Sequence, residues 1–172
     1  MTDKQLQRLE FAKSHKEKWI VNEIHSTAII HPTAIIGDDG FGWVREIDGS
    51  YVKMPHAGNV VIHEGVEVRA FCTIDRAVTG STVIGEFTKL DHKVHIGHGA
   101  KLGKYNTIAA NSSIEGSCVI GDYCTIGSNV TVQRKVIVGN NVIVGSGCVV
   151  TKDVPSNAVI VGNPHKILRF QE

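Results

Sequence analysis

The sequence predicts an all-β protein built as a parallel β-helix, a coil of short strands with a short helix at each end. Two observations carry this. From Ile84 to Val150 every sixth residue is aliphatic, at 84, 90, 96, 102, 108, 114, 120, 126, 132, 138, 144 and 150. A small or β-branched residue stands two places before each of these, from Thr82 to Cys148, and Gly directly follows at 85, 97, 103, 121, 127, 139 and 145. Six is a multiple of the strand period of two but not of the helical period of 3.6, so only a coil of strands turns all these side chains inward. A hexapeptide repeat of this kind is the signature of a solenoid. Three six-residue faces make a coil of eighteen, and successive coils stack about 4.8 Å apart through backbone hydrogen bonds. The eighteen-residue step predicts three interior ladders: Ile84, Leu102, Ile120, Val138; Leu90, Ile108, Ile126, Val144; and Ile96, Ile114, Val132, Val150. The Gly after each aliphatic suits a bend where a side chain would obstruct or where φ is positive.

The elements follow in chain order. Residues 1–22 form an N-terminal helical segment, in which Thr2 and Gln5 fit a capping box and Leu6, Leu9 and Ala12 share one face ahead of Trp19 and Ile20. This segment docks as a cap or packs on a neighbouring subunit. The β-helix spans 23–155, opening with Ile24, Ile30 and Ile36, where His25 and His31 take bend positions. An excursion at 42–59 interrupts it, carrying Trp43, Tyr51 and Pro55, and long excursions from rigid scaffolds often carry function. The coil resumes at Ile62, Val68 and Ile74, and a four-residue bulge at 75–81 precedes Ile84. Residues 156–172 form a C-terminal cap, a short basic helix from Pro164 to Phe170, since Pro suits the first helical position.

The 172 residues suit one domain, and 18 Lys and Arg against 17 Asp and Glu leave a formal charge of +1. No basic field points to nucleic acid, no apolar stretch has transmembrane length, and the charged start does not read as a signal peptide, so the expected location is cytoplasmic. Cys72, Cys118, Cys124 and Cys148 occupy the small interior slot two before an aliphatic, which makes them packing residues of a reduced protein and neither metal ligands nor disulfides.

The chemistry concentrates in KLDHKVHIGHGAKLG, residues 89–103. His92, His95 and His98 point outward, with His92 and His98 at equivalent points of adjacent faces. One coil beyond His98 the stacked residue is Gly116, and two coils beyond it is Arg134. A His beside a residue without a side chain leaves room for a substrate carbonyl. His98 titrates near physiological pH and can act as a base, and the Gly116 N–H can face an oxyanion. The spacing leaves a solvated surface histidine open as the alternative.

The stretches GDDGFGW, VKMPHAGNVVI, VEVRAFCTIDRAV, TVIGEFTKLDHKVHIGHGAKLG and SIEGSCVIGDYCTIGSNV resemble the bacterial hexapeptide transferases. Within that superfamily, residues 36–150 are similar to the UDP-3-O-acylglucosamine N-acyltransferases of lipid A and lipopolysaccharide biosynthesis. The resemblance implies a left-handed β-helix, a homotrimer, His98 as general base and Gly116 as oxyanion donor. Asp91 also matches the family pattern, and with His92 and His95 it is a candidate for the acceptor. The family carries a uridine-binding domain ahead of its repeats, where this sequence has about 23 residues, and a further family His falls at Lys135. The ending VIVGNPHKILR instead resembles coenzyme A-dependent sugar acetyltransferases, which makes Gly145, Lys152, Lys166 and Arg169 candidates for holding the donor.

The expected function is therefore transfer of an acyl group, acetyl in the first instance, from an acyl-CoA thioester to the amine of a nucleotide-activated sugar. The alternative is transfer of a 3-hydroxyacyl group from acyl carrier protein in the lipid A pathway. Two further readings are a γ-carbonic-anhydrase-like zinc protein, for which Gly103 stands where a ligand is needed, and a non-catalytic trimeric scaffold.

Overall fold

The computed structural model describes residues 2–14 and 21–171. It is a three-sided, left-handed parallel β-helix of about six turns. Each face is a stack of short parallel strands. The first face runs Glu23–Ile24, Asn59–Ile62, Ser81–Ile84, Lys101–Leu102, Val119–Ile120, Ile137–Val138. The second face begins at Ile29–Ile30 and the third at Ile35–Asp39. The register is the eighteen-residue step throughout the regular part: Leu102 pairs with Ile120, Leu90 with Ile108, and Ile96 with Ile114. All three expected ladders are present, and every member from Ile84 to Val150 is buried.

The core is one narrow column of Ile, Val and Leu, with the small residues packed between them. Its buried polar members satisfy their groups locally. Asn106 donates to the carbonyls of Gly103 and Gly121 and accepts from the Cys124 N–H, clamping two successive coils together. The four cysteines are free and buried in their expected slots, and burial pushes the Cys118 thiol up to about 11. Ile108 sits mid-column at 1% exposure. Ile108→Ala is expected to cost about 2–5 kcal/mol, because a stacked column with neighbours on both sides has little freedom to collapse into the gap. Urea denaturation of the variant measures it, and a loss below about 1 kcal/mol would contradict this packing.

The repeat glycines serve close approach and not positive φ. The left-handed backbone lies three residues after each ladder aliphatic, where Phe87, Lys93, Tyr105, Asn111 and Asn129 occupy it. At Gly97, directly after a ladder residue, a Cβ would sit 2.6 Å from the backbone N of Gly116 in the next coil.

The excursion forms a hairpin of Trp43–Arg45 against Tyr51–Lys53. Helix α1 (Asp3–Ser14) lies on this hairpin, tied by Lys13 Nζ to Glu46 Oε1 at 2.8 Å, and so caps the side of the solenoid and not its end. The capping box is made: the Thr2 N–H donates to Gln5 Oε1 at 2.8 Å. Leu9 is buried while Leu6 is 41% exposed. Residues 15–20 of the expected helical segment, with Trp19 and Ile20, and the Ala12 side chain lie outside the described residues.

One expected element is different. The C-terminal segment is not a helix from Pro164 to Phe170. Lys166–Phe170 is a strand, antiparallel to Ala158–Val161 and reached by a turn through residues 162–165. The last strand of the second face would otherwise present an unpaired row of backbone donors and acceptors, and seven residues are too few for a self-supporting helix.

Candidate active site

His98 stands at the corner between the third and first faces. The corners explain what is unusual there. At the corner between the first and second faces, each N–H is capped by an acceptor one coil on: Lys104 N–H by Asp122 Oδ1 at 2.9 Å, Asp122 N–H by Asn140 Oδ1 at 2.8 Å, and Asn140 N–H by Ser156 Oγ at 3.0 Å. In the His98 column the residue one coil beyond Gly116 is Arg134, whose side chain only donates. Among the described residues the Gly116 N–H consequently has no acceptor. The His98 ring lies against Gly116. A Cβ on Gly116 would come within 2.7 Å of His98 Nε2 and 3.0 Å of two ring carbons. An imidazole ring and a residue with an unpaired backbone N–H thus lie side by side.

Burial lowers the His98 pKa, and the nearby His56, Arg134, Arg8 and His95 push the same way. At neutral pH the ring is therefore an uncharged base. Its turn is tied to the four-residue bulge by a buried threonine, since the Thr82 hydroxyl donates to the Asp75 carbonyl at 2.7 Å and accepts from the Gly99 N–H at 2.8 Å.

His56, from the excursion, meets His98 edge to face at 5.4 Å between ring centres. It is fully buried, and its Nδ1–H donates to the Met54 carbonyl at 2.9 Å. Its Nε2 has no hydrogen-bond partner among the described residues. Around the Cα of Gly40, His56 Nε2, Asp75 Oδ2 and the His98 Cβ converge. Burial raises the Asp75 pKa against the pull of His95 and His56, and His95 Nε2 lies 3.9 Å from Asp75 Oδ2. Arg76 is buried beside them, and its Nε–H donates to the Gly37 carbonyl at 2.6 Å, which anchors the segment where the excursion departs.

His98 and His56 line a cleft of about 750 Å³. Its floor includes His98, Ser117 and Arg134 of the solenoid. The hairpin contributes Trp43 and Met54, and α1 contributes Lys4, Arg8 and Phe11.

The bacterial transferase hexapeptide pattern (six repeats) matches residues 81–116 and 117–152. The chain is 47% identical over 89 residues, 52% of its length, to a UDP-3-O-acylglucosamine N-acyltransferase of Chlorobium chlorochromatii, of which the match spans 25%. It is 50% identical over 82 residues to UDP-3-O-acylglucosamine N-acyltransferase 1 of Legionella pneumophila, covering 48% of this chain and 23% of that relative. The match thus spans about a quarter of these relatives' length. Among solved structures it is similar to the UDP-N-acetylglucosamine O-acyltransferase of Moraxella catarrhalis, with a TM-score of 0.76 and 26% identity over 87% of this chain and 56% of that one. It also shares its fold with a perosamine N-acetyltransferase of Caulobacter crescentus determined with CoA and GDP-perosamine, with a TM-score of 0.54 and 23% identity over 88% of this chain and 58% of that one.

Within the chain the expected site residues are not all together. His98 and Gly116 are stacked as the register predicts. His95 reaches the site through Asp75, and its Nδ1 pairs with the Thr73 hydroxyl at 2.8 Å. Asp91 and His92 pair with each other at 2.7 Å on the corner between the second and third faces, outside the cleft. Gly145, whose N–H donates to the Ile160 carbonyl, and the exposed Lys152, Lys166 and Arg169 lie towards the C-terminal end, also outside it. His92, His95 and His98 occupy a corner, a face and the next corner, and among the described residues no group of three His, Cys, Asp or Glu could hold a metal ion. His56 and Asp75 were not singled out from the sequence. The excursion and the bulge have no repeat, so no register placed them.

Proposed function

We propose that this protein is an acyltransferase that moves an acyl group from a thioester to the amine of a nucleotide-linked amino sugar. The observation that carries the reading is the His98 ring set against Gly116, whose N–H is unpaired among the described residues. His98 Nε2 takes a proton from the amine as its nitrogen attacks the thioester carbonyl. The carbonyl oxygen becomes an oxyanion that accepts from the Gly116 N–H. The C–S bond then breaks, and the imidazolium returns its proton to the leaving thiolate. The buried, unpartnered His56 Nε2 offers a hydrogen bond to the substrate.

The acyl donor is acetyl-CoA, as the acetyltransferase-like ending suggests, with Lys152 next in the column after Arg134 for its phosphates. Lys166, Arg169 and Gly145 line the same end of the coil. A 3-hydroxyacyl group on acyl carrier protein is the second reading, favoured by the relatives named as UDP-3-O-acylglucosamine N-acyltransferases. The working unit is a homotrimer, supported by Val119 and Ile137, which pair side by side on the outer first face with 41% and 51% exposure.

Melting temperatures with acetyl-CoA, free CoA and a long-chain acyl thioester test the donor, because a ligand of the folded state alone must raise Tm. A rise with acetyl-CoA and CoA supports the acetyl reading. A rise with the long-chain thioester alone supports the lipid A reading, and no rise with any of them sinks both. For pH, the free base is the active form and its folded pKa is lowered below the ordinary 6.5. The acid limb of kcat/KM is therefore expected below that value, with activity lost as pH falls through it. An acid limb above 6.5 would contradict the assignment of His98.

A further inference from the structure

The cleft beside His98 has a charge pattern that transfer chemistry alone does not require. Lys4 and Arg8 of α1, Lys101 of the first face and Arg134 of the corner all line it. No Asp or Glu lines it, although the chain holds 17 acidic residues against 18 basic ones. Lys101 is hydrogen-bonded to the Ser81 carbonyl at 2.5 Å, while among the described residues Lys4, Arg8 and Arg134 form no ion pair with a carboxylate. Like charges gathered without counter-charge repel one another, so the arrangement favours an anionic guest. Flat apolar groups stand with them. Trp43 is 49% exposed and Phe41 93% exposed, both on the cleft wall. Exposed rings beside cations suit a ligand with an aromatic base and a phosphate group. The volume is in the range of about 300–1,000 Å³ usual for small-molecule sites.

We propose that α1, the hairpin and the His98 corner together form the subsite for the nucleoside diphosphate of the acceptor, with Lys4, Arg8 and Arg134 on the diphosphate and Trp43 and Phe41 beside the base. This rests on the acyltransferase reading for the word acceptor, but the subsite itself does not. The same chemistry could come from the ADP portion of CoA. The acceptor is preferred because the further cations of the solenoid, Lys152, Lys166 and Arg169, lie outside this cleft and remain for the donor. The arrangement also gives α1 a role. It brings two cations to the reacting corner from a segment outside the repeat, held there by the Lys13–Glu46 ion pair.

The experiment is isothermal titration of the full chain with UDP, GDP, uridine, sodium pyrophosphate and CoA. It is repeated on Arg8→Gln and on Lys4→Gln/Arg8→Gln. Both side chains are exposed and Gln is a good helix former, so the melting temperature is expected to stay the same. UDP or GDP is expected to bind the wild type and to weaken about ten-fold for each cation removed. Uridine and CoA are expected to bind all three proteins alike, and pyrophosphate to weaken in step with the diphosphates. Diphosphate affinity unchanged in the double variant, or no diphosphate binding to wild type, overturns the proposal. So does a loss confined to CoA, which gives the cleft to the donor. Steady-state transfer separates the two readings. Arg8-dependent nucleotide binding without acyl transfer leaves the subsite standing and sinks the acyltransferase, whereas transfer with acceptor KM unchanged in the variants does the reverse.

Discussion

His98→Ala is expected to lower kcat by about 10²–10⁴-fold, the range for loss of a positioned general base. The variant should fold as the wild type does. The ring is only half-buried and its packing contacts are with His56 and the Gly116 backbone, so the aliphatic column is untouched. Donor binding should persist, because the ring acts on the amine and not on the thioester's phosphates. Thiol release from acetyl-CoA in the presence of an amino sugar nucleotide measures the first, and the thermal shift with CoA measures the second. If kcat falls and the shift survives, His98 is catalytic. If kcat stays within about three-fold of wild type, His98 is not the base and the reading falls with it.

Gly116→Ala is the second large effect. Gly116 does not have the positive φ that would strain an alanine, so the backbone accepts the change. The new methyl, however, would lie 2.7 Å from His98 Nε2. The ring must move, and the space for the carbonyl is filled at the same time. Displacement of a reacting group by about 1 Å can alone cost about 10²-fold, so kcat should fall at least that far. Stability should change by less than about 1 kcal/mol, as for surface changes away from the core. A variant that transfers at the wild-type rate would show that this corner is not where the carbonyl sits. One that unfolds would show that Gly116 serves the coil and not the chemistry.

The pair was legible in the sequence because both residues belong to the repeat. Once the coil is eighteen residues long, a residue's neighbour in the stack is found by addition, and His98 leads to Gly116 and Arg134. The same rule separated Asp91 and His92 from His98, for they sit on a different corner. Nearness in sequence made them candidates for the acceptor, but the coil turns through a full face between 92 and 98.

What lay outside the repeat was not legible. His56 is forty-two positions before His98 by sequence numbering, and nothing in a hairpin sequence fixes where its base folds back. The buried, unpartnered Nε2 of His56 and the convergence with Asp75 around Gly40 are facts of packing. The position of α1 is another. Its capping box and periodicity foretold a helix, yet its thin apolar face named no partner. The C-terminal strand shows the same limit. Pro164 suited a helix start locally, and the unpaired edge at Ala158–Val161 outweighed it.

The sequence by itself determined the solenoid, its three ladders, the interior place of the four cysteines and the stacking of His98 on Gly116. Each follows from a strict period, and a period carries three-dimensional position in one dimension. Only the tertiary structure decided that the hairpin brings His56 to His98, that α1 brings Lys4 and Arg8 to the same cleft, and that the last strand closes the second face. Those depend on which surfaces meet, and an aperiodic chain does not encode that in the spacing of its residues.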